Sequence, residues 1–223
     1  MKHRYVFVLI IILEIALIGI KHINRNQKVS LFGINFVIDP GHGGKDNGSC
    51  YNEVLEDEIN LKIATKLMDI SINEGAISSL TRVGDYDLSS ENASNHKRED
   101  LKARVDYINN SGAQFFVSIH MNSYPSNISV NGPMVYYEKN NEESKHFAEE
   151  VSKVLNDFAS SDKPIHYDDF YLFRNTKIPG ILVECGFISN SKDRNNLTND
   201  LYQQKFAKKL YEGIENYTLG ERF

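Results

Sequence analysis

Two short apolar runs, Gln114–Ile119 (QFFVSI) and Ile181–Val183 (ILV), alternate with longer amphipathic stretches, and this alternation sets the fold class. A strand with apolar residues on both of its faces has no side for water and must be covered on both sides. The cover comes from four segments of helical period. Glu56–Glu74 aligns Ile59, Ile63, Leu67 and Ile70, and its first turn is acidic, as the helix dipole favours. Arg98–Asn109 aligns Leu101, Val105 and Ile108 and stops near Gly112. Ser144–Phe158 and Leu201–Tyr217 repeat the pattern. Between them, Ile77–Thr81, Pro133–Tyr137 and Phe170–Phe173 read as further strands, and Val83–Lys97 as a long polar loop. Val29–Phe32 and Asn35–Ile38 read as a hairpin turned at Gly33. The expectation is a single α/β domain with a mixed, mostly parallel sheet and helices on both faces.

Charge divides the 223 residues into two parts. Residues 1–28 carry five basic side chains against Glu14 alone, a balance of +4, while residues 29–223 carry −9. Tyr5–Ile20 is apolar except for Glu14 and follows Lys2-His3-Arg4, the form of a signal peptide or a membrane anchor. As a helix its 16 residues reach about 24 Å, short of the ~30 Å hydrocarbon core. Lys21 and His22 make a poor cleavage site, so retention as an anchor is favoured over release. Residues 29–223 then form one domain outside the cytoplasm, in contact with a membrane only through the N-terminal segment. A sequence pI near 5.8 argues against a nucleic-acid partner. Two cysteines, Cys50 and Cys185, are too few for a disulfide scaffold.

In open α/β sheets, sites gather where strands end and loops begin. His42, in the loop Asp39–Gly44, follows the first strand; His120 follows QFFVSI; Glu184 follows ILV. A catalytic zinc takes three nitrogen or oxygen ligands and leaves a position for water, so two imidazoles and a carboxylate suit it. The helix opening at Glu56 offers that carboxylate, but spacing does not choose Glu56 over Glu53, Asp57 or Glu58. Each residue also has a plainer account: a histidine after a strand is often structural, and an acid in a first turn often answers the dipole. Glu184 is harder to explain this way, because burying an unpaired charge is costly. Cys185, next to it, offers a rival chemistry as a thiol nucleophile with a histidine base.

Six segments occur in order: VIDPGHGGKDNG, LEDEINLKIA, Thr81-Arg82, FVSIHMNS, NGPMVYY and IPGILVECGFISN. Together they resemble the zinc-dependent N-acetylmuramoyl-L-alanine amidases of the Amidase_3 family, over about residues 34–215. The resemblance implies metal ligands at His42, Glu56 and His120, Zn2+ as cofactor, and Glu184 acting on the attacking water. Cys185 stands where the family commonly has threonine or another small residue. Asn122 and Arg82 are candidate substrate contacts, with polar support of a strand end as the alternative. The substrate implied is peptidoglycan, cut between the lactyl group of muramic acid and L-alanine. A short apolar leader, one catalytic domain and no wall-binding repeats resemble the compact members of the family that act in the spore cortex. Glu138 to Tyr167 has room for one packed helix, so no autoinhibitory insert is expected, and control falls to timing or an activating partner protein. A binding module that holds wall glycan without cutting it is the second rival.

Overall fold

The computed structural model describes residues 31–220. The Tyr5–Ile20 segment, the domain boundary at residues 28 and 29, and Val29 itself lie outside the described residues. In chain order the elements are β1 (Asn35–Pro40), β2 (Cys50–Tyr51), β3 (Val54–Leu55), α1 (Glu56–Asn73), β4 (Ile77–Leu80), α2 (His96–Asn110), β5 (Phe115–Asn122), β6 (Met134–Glu138), α3 (Glu142–Ala159), β7 (His166–Asp168), α4 (Tyr171–Asn175), β8 (Gly180–Phe187), α5 (Ser191–Leu197) and α6 (Asp200–Gly220). One six-stranded sheet runs β4-β1-β5-β8-β6-β7. The first four of these strands are mutually parallel, β6 is antiparallel to β8, and β7 is parallel to β6. The sheet is mixed and mostly parallel, as expected.

Residue alternation along the central strands fills two cores. Phe36 and Ile38 of β1, Phe115, Val117 and Ile119 of β5, and Ile181 and Val183 of β8 face the larger one. There they meet Ile63 and Leu67 of α1, Phe147 and Val151 of α3, and Phe206 and Leu210 of α6. Val37, Phe116 and Leu182 face the opposite core, closed by Val105 and Ile108 of α2 and Leu172 and Phe173 of α4. Burying each such side chain contributes about 1.5–3 kcal/mol, so both faces hold the sheet in place. Asparagines cap the helices: Asn95 accepts from the Arg98 N–H, Asn141 from Ser144, and Asn190 from Lys192 and Asp193. Caps of this kind are each worth about 1 kcal/mol.

Two expectations need correction. The β1 hairpin does not form, because both edges of β1 are taken by parallel partners, β4 and β5. Leu31–Ile34 is instead a turn closed by the Ile34 N–H on the Leu31 carbonyl, with Gly33 at φ 83°. Phe170–Phe173 is no strand: Phe170 precedes α4, and Leu172 and Phe173 are buried under α2. The pairing with β6 belongs to His166–Asp168, a few residues earlier. The β2–β3 hairpin and α5 were not anticipated, whereas the single helix between Glu138 and Tyr167 is α3.

Candidate active site

The face that buries Val37, Phe116 and Leu182 turns polar toward the C-terminal ends of the strands. Two residues beyond these come Asp39, Ser118 and Glu184, and two further along β5 comes His120. His120 and Glu184 are register partners across β5 and β8. The loop after β1 adds His42 in the left-handed region, at φ 60°. Gly41 before it has no alternative, because a β-carbon there would lie 2.2 Å from Cε1 of His120. A β-carbon at Gly48 would likewise lie 2.5 Å from Oε2 of Glu56.

Glu56, the first residue of α1, is buried, with its Oε1 3.0 Å from Nδ1 of His120 and 3.3 Å from Nε2 of His42. The same oxygen accepts from the Met121 N–H at 3.1 Å, and Oε2 accepts from Ser49 N–H at 2.7 Å. Burial works against the charge on Glu56, yet hydrogen bonds and the charges of His120 and His42 hold its carboxyl far below the usual range. His42 is opposed by burial but raised to about 9 by Glu56 and Asp46. One ligand atom from each of His42, Glu56 and His120 falls within 4.8 Å of the others. Two imidazole nitrogens and one carboxylate oxygen match the donor set of a catalytic zinc. The other nitrogen of His42, Nδ1, meets Asp46 Oδ2 at 3.0 Å, the carboxylate partner that fixes a metal-facing imidazole. The alternatives to Glu56 are placed elsewhere: Glu58 pairs with Lys62, Glu53 sits in a turn at φ 63°, and Asp57 is not part of the cluster.

Glu184 lines the same open cleft, of about 340 Å³, with His42, Glu56, His120, Asn122 and Lys97. Its Oε2 is buried and has no hydrogen-bond partner among the described residues. Burial, followed by the charge of Glu56, pushes this carboxyl up to about 8. Asn122 stands at the wall of the cleft, its Oδ1 accepting from the Ser123 N–H.

Arg82 does not reach the cleft. It is buried at 1% exposure and donates to the carbonyls of Pro40, Gly41, Asp57 and Gly84, so it braces the glycine loop. Arg104 does the same from α2 and was not anticipated. It donates to Asp39, Asp100 and the carbonyls of Pro40 and His42. Asp39 also accepts from Thr81 and Ser118. Cys185 points to the opposite face, into the larger core, and burial raises its thiol well above the ordinary range. A thiol held neutral and away from the cleft is no nucleophile.

A doubly covered α/β sheet with two histidines and a buried glutamate gathered at strand ends, and an unpartnered carboxyl in the same cleft, defines a hydrolase site able to hold a metal ion. The Amidase_3 family model, N-acetylmuramoyl-L-alanine amidase, matches residues 36–216. The chain belongs to that family and is a peptidoglycan amidase. It is 36% identical over 193 residues to the germination-specific N-acetylmuramoyl-L-alanine amidase of Bacillus subtilis, covering 84% of this chain and 81% of that protein. The N-acetylmuramoyl-L-alanine amidase LytC of the same organism is 32% identical over 193 residues, 85% of this chain and 36% of that longer protein. Among solved structures, the CwlD amidase of Clostridioides difficile, determined in complex with the GerS lipoprotein, superimposes with a TM-score of 0.79 at 33% identity. That match covers 83% of this chain and 98% of the other.

Proposed function

We propose that the chain is a zinc-dependent amidase that hydrolyses the bond between the lactyl group of N-acetylmuramic acid and L-alanine, in spore cortex maturation required for germination. One observation carries the catalytic part: a buried carboxylate, Glu56, is held between two imidazoles, and a second carboxyl, Glu184, faces the same cleft without a partner. His42, Glu56 and His120 would hold the ion. A zinc ion supplies Lewis acidity at the amide carbonyl and acidifies water.

The remaining steps belong to the chain's own groups. Glu184 takes a proton from the attacking water and delivers it to the leaving L-alanine nitrogen. Its high pKa in the metal-free protein reflects burial and the Glu56 charge, and a cation in the cleft favours the ionised form that acts as base. Asn122, on the wall of the same cleft, is positioned to bind substrate. Arg82 and Arg104 act at one remove, fixing the backbone from Pro40 to His42 that presents the first imidazole.

The cortex role rests on similarity to the germination-specific amidase. We further propose that residues 1–28 serve as signal peptide or membrane anchor and that residues 29–223, the catalytic domain, act in the forespore intermembrane space or cell envelope. Among the described residues no helix is long and apolar enough to cross a membrane. The likeness to an amidase solved in complex with a lipoprotein supports a partner protein for this chain, in the role of an activator under this proposal. Chelation followed by metal return tests the zinc dependence: activity should vanish with the chelator and return with zinc. Full activity in chelator would refute it.

A further inference from the structure

The cleft holds three carboxylates, those of Asp46, Glu56 and Glu184, and among its described lining residues Lys97 is the only lysine or arginine. Lys97 is exposed and has no hydrogen bond or ion pair within the described chain, although its charge helps hold the Asp46 carboxyl low. Lys45, its neighbour in space, is by contrast engaged with His96 at 3.1 Å. Helix stability does not explain Lys97 either. It is the second residue of α2, in a first turn where a cation opposes the helix dipole. A free ammonium group in the lining of this cleft suits an anionic part of a ligand.

The substrate of the proposed reaction carries such a group. The residue after L-alanine in a stem peptide bears an α-carboxyl that is free in D-isoglutamate and amidated in D-isoglutamine. A residue spans about 3.3–3.6 Å, so this carboxyl lies roughly 7 Å beyond the scissile bond, at the scale of the cleft. Among the described lining residues outside the His42, Glu56 and His120 cluster, Lys97 is the cationic side chain available to meet it. We propose that Lys97 binds this carboxylate and thereby selects acidic over amidated stem peptides. The proposal rests on the amidase reading of the same site.

The test compares N-acetylmuramoyl-L-alanyl-D-isoglutamate with its isoglutamine counterpart. Hydrolysis is followed with the zinc-loaded full chain, and binding is measured separately with the Glu184→Gln variant. The intact chain should favour the isoglutamate ligand about 10-fold in kcat/KM and in affinity, as one charge-assisted hydrogen bond allows. Lys97→Met should abolish that preference chiefly by weakening the acidic ligand, and Lys97→Arg should retain it. The preference should also shrink as salt rises. Equal handling of the two ligands by the intact chain would overturn the proposal, as would a preference that survives Lys97→Met, or an equal loss on both ligands. A chain that binds the acidic ligand in a Lys97-dependent way but cuts neither would support the assignment of Lys97 and count against hydrolysis by the chain without its partner protein.

Discussion

Oε1 of Glu56 lies 3.0 Å from Nδ1 of His120, although the two residues are 64 positions apart in the chain. The contact joins the start of α1 to the end of β5, and it exists because Gly41 leaves room for the His120 ring. A buried carboxylate in that place is satisfied by histidines and backbone N–H groups, the arrangement a cation would complete.

Removing the carboxylate should therefore empty the site. Glu56→Ala should lose stoichiometric zinc, read by metal analysis after gel filtration. Asp46→Asn, which leaves the ligands intact but frees Nδ1 of His42, should weaken zinc binding about 10- to 100-fold in a competition with a chelating dye. Zinc bound as tightly by Asp46→Asn as by the parent would contradict the orienting role.

Glu184 should matter for turnover and not for metal. Glu184→Gln should lower kcat by about 10²- to 10⁴-fold while zinc content stays at one per chain. Activity within a few-fold of the parent would remove Glu184 from the mechanism.

The elevated carboxyl of Glu184 also makes a prediction for the metal-free protein. A folded pKa of about 8, above the ordinary 4.5, means the fold binds this proton more tightly than the unfolded chain does. Its contribution is complete below about pH 4.5 and is lost as pH rises through about 8. The parent should thus lose stability relative to Glu184→Gln across that window, by an amount on the order of a few kcal/mol. Denaturant melts of both metal-free proteins from pH 5 to 8 provide the measurement, and parallel curves would contradict it.

The buried pair Arg104–Asp39, at 2.8 Å, should be costly to break from one side. Arg104→Met leaves Asp39 and the carbonyls of Pro40 and His42 short of a donor, and should cost about 3–5 kcal/mol. The depressed Asp39 carboxyl carries the opposite sign to Glu184: its contribution is present above the ordinary 3.8 and lost as pH falls below it. Acid titration of stability in the parent and in Arg104→Met would show the difference.

Cys185→Ala should leave kcat unchanged, with a modest loss of stability of about 0.5–3 kcal/mol for a buried position. Loss of activity with normal zinc content would revive the thiol chemistry that the buried, core-facing side chain argues against.

Much of this was legible in the chain. The largely apolar QFFVSI and the apolar ILV read as buried central strands, and the helical periods of α1, α2, α3 and α6 named the cover. His42, His120 and Glu184 were legible as residues at strand ends. Spacing alone left Glu56 undecided among four acids, because the choice depends on how α1 starts relative to β5, a long-range fact. Arg82 suggested a ligand contact, since nothing local reveals that four carbonyls surround it. Arg104 lay hidden in a helix whose surface is otherwise charged. Phe170–Phe173 misled because an aromatic run suits a strand edge and a buried short helix equally well.

The most direct test of the account is mass analysis of muropeptides after peptidoglycan is incubated with the purified chain and zinc. Stem peptides should be released with a free L-alanine amino terminus, leaving glycan whose muramic acid carries an unsubstituted lactyl carboxyl. Cleavage within the glycan or within the peptide by the zinc-loaded chain would contradict it.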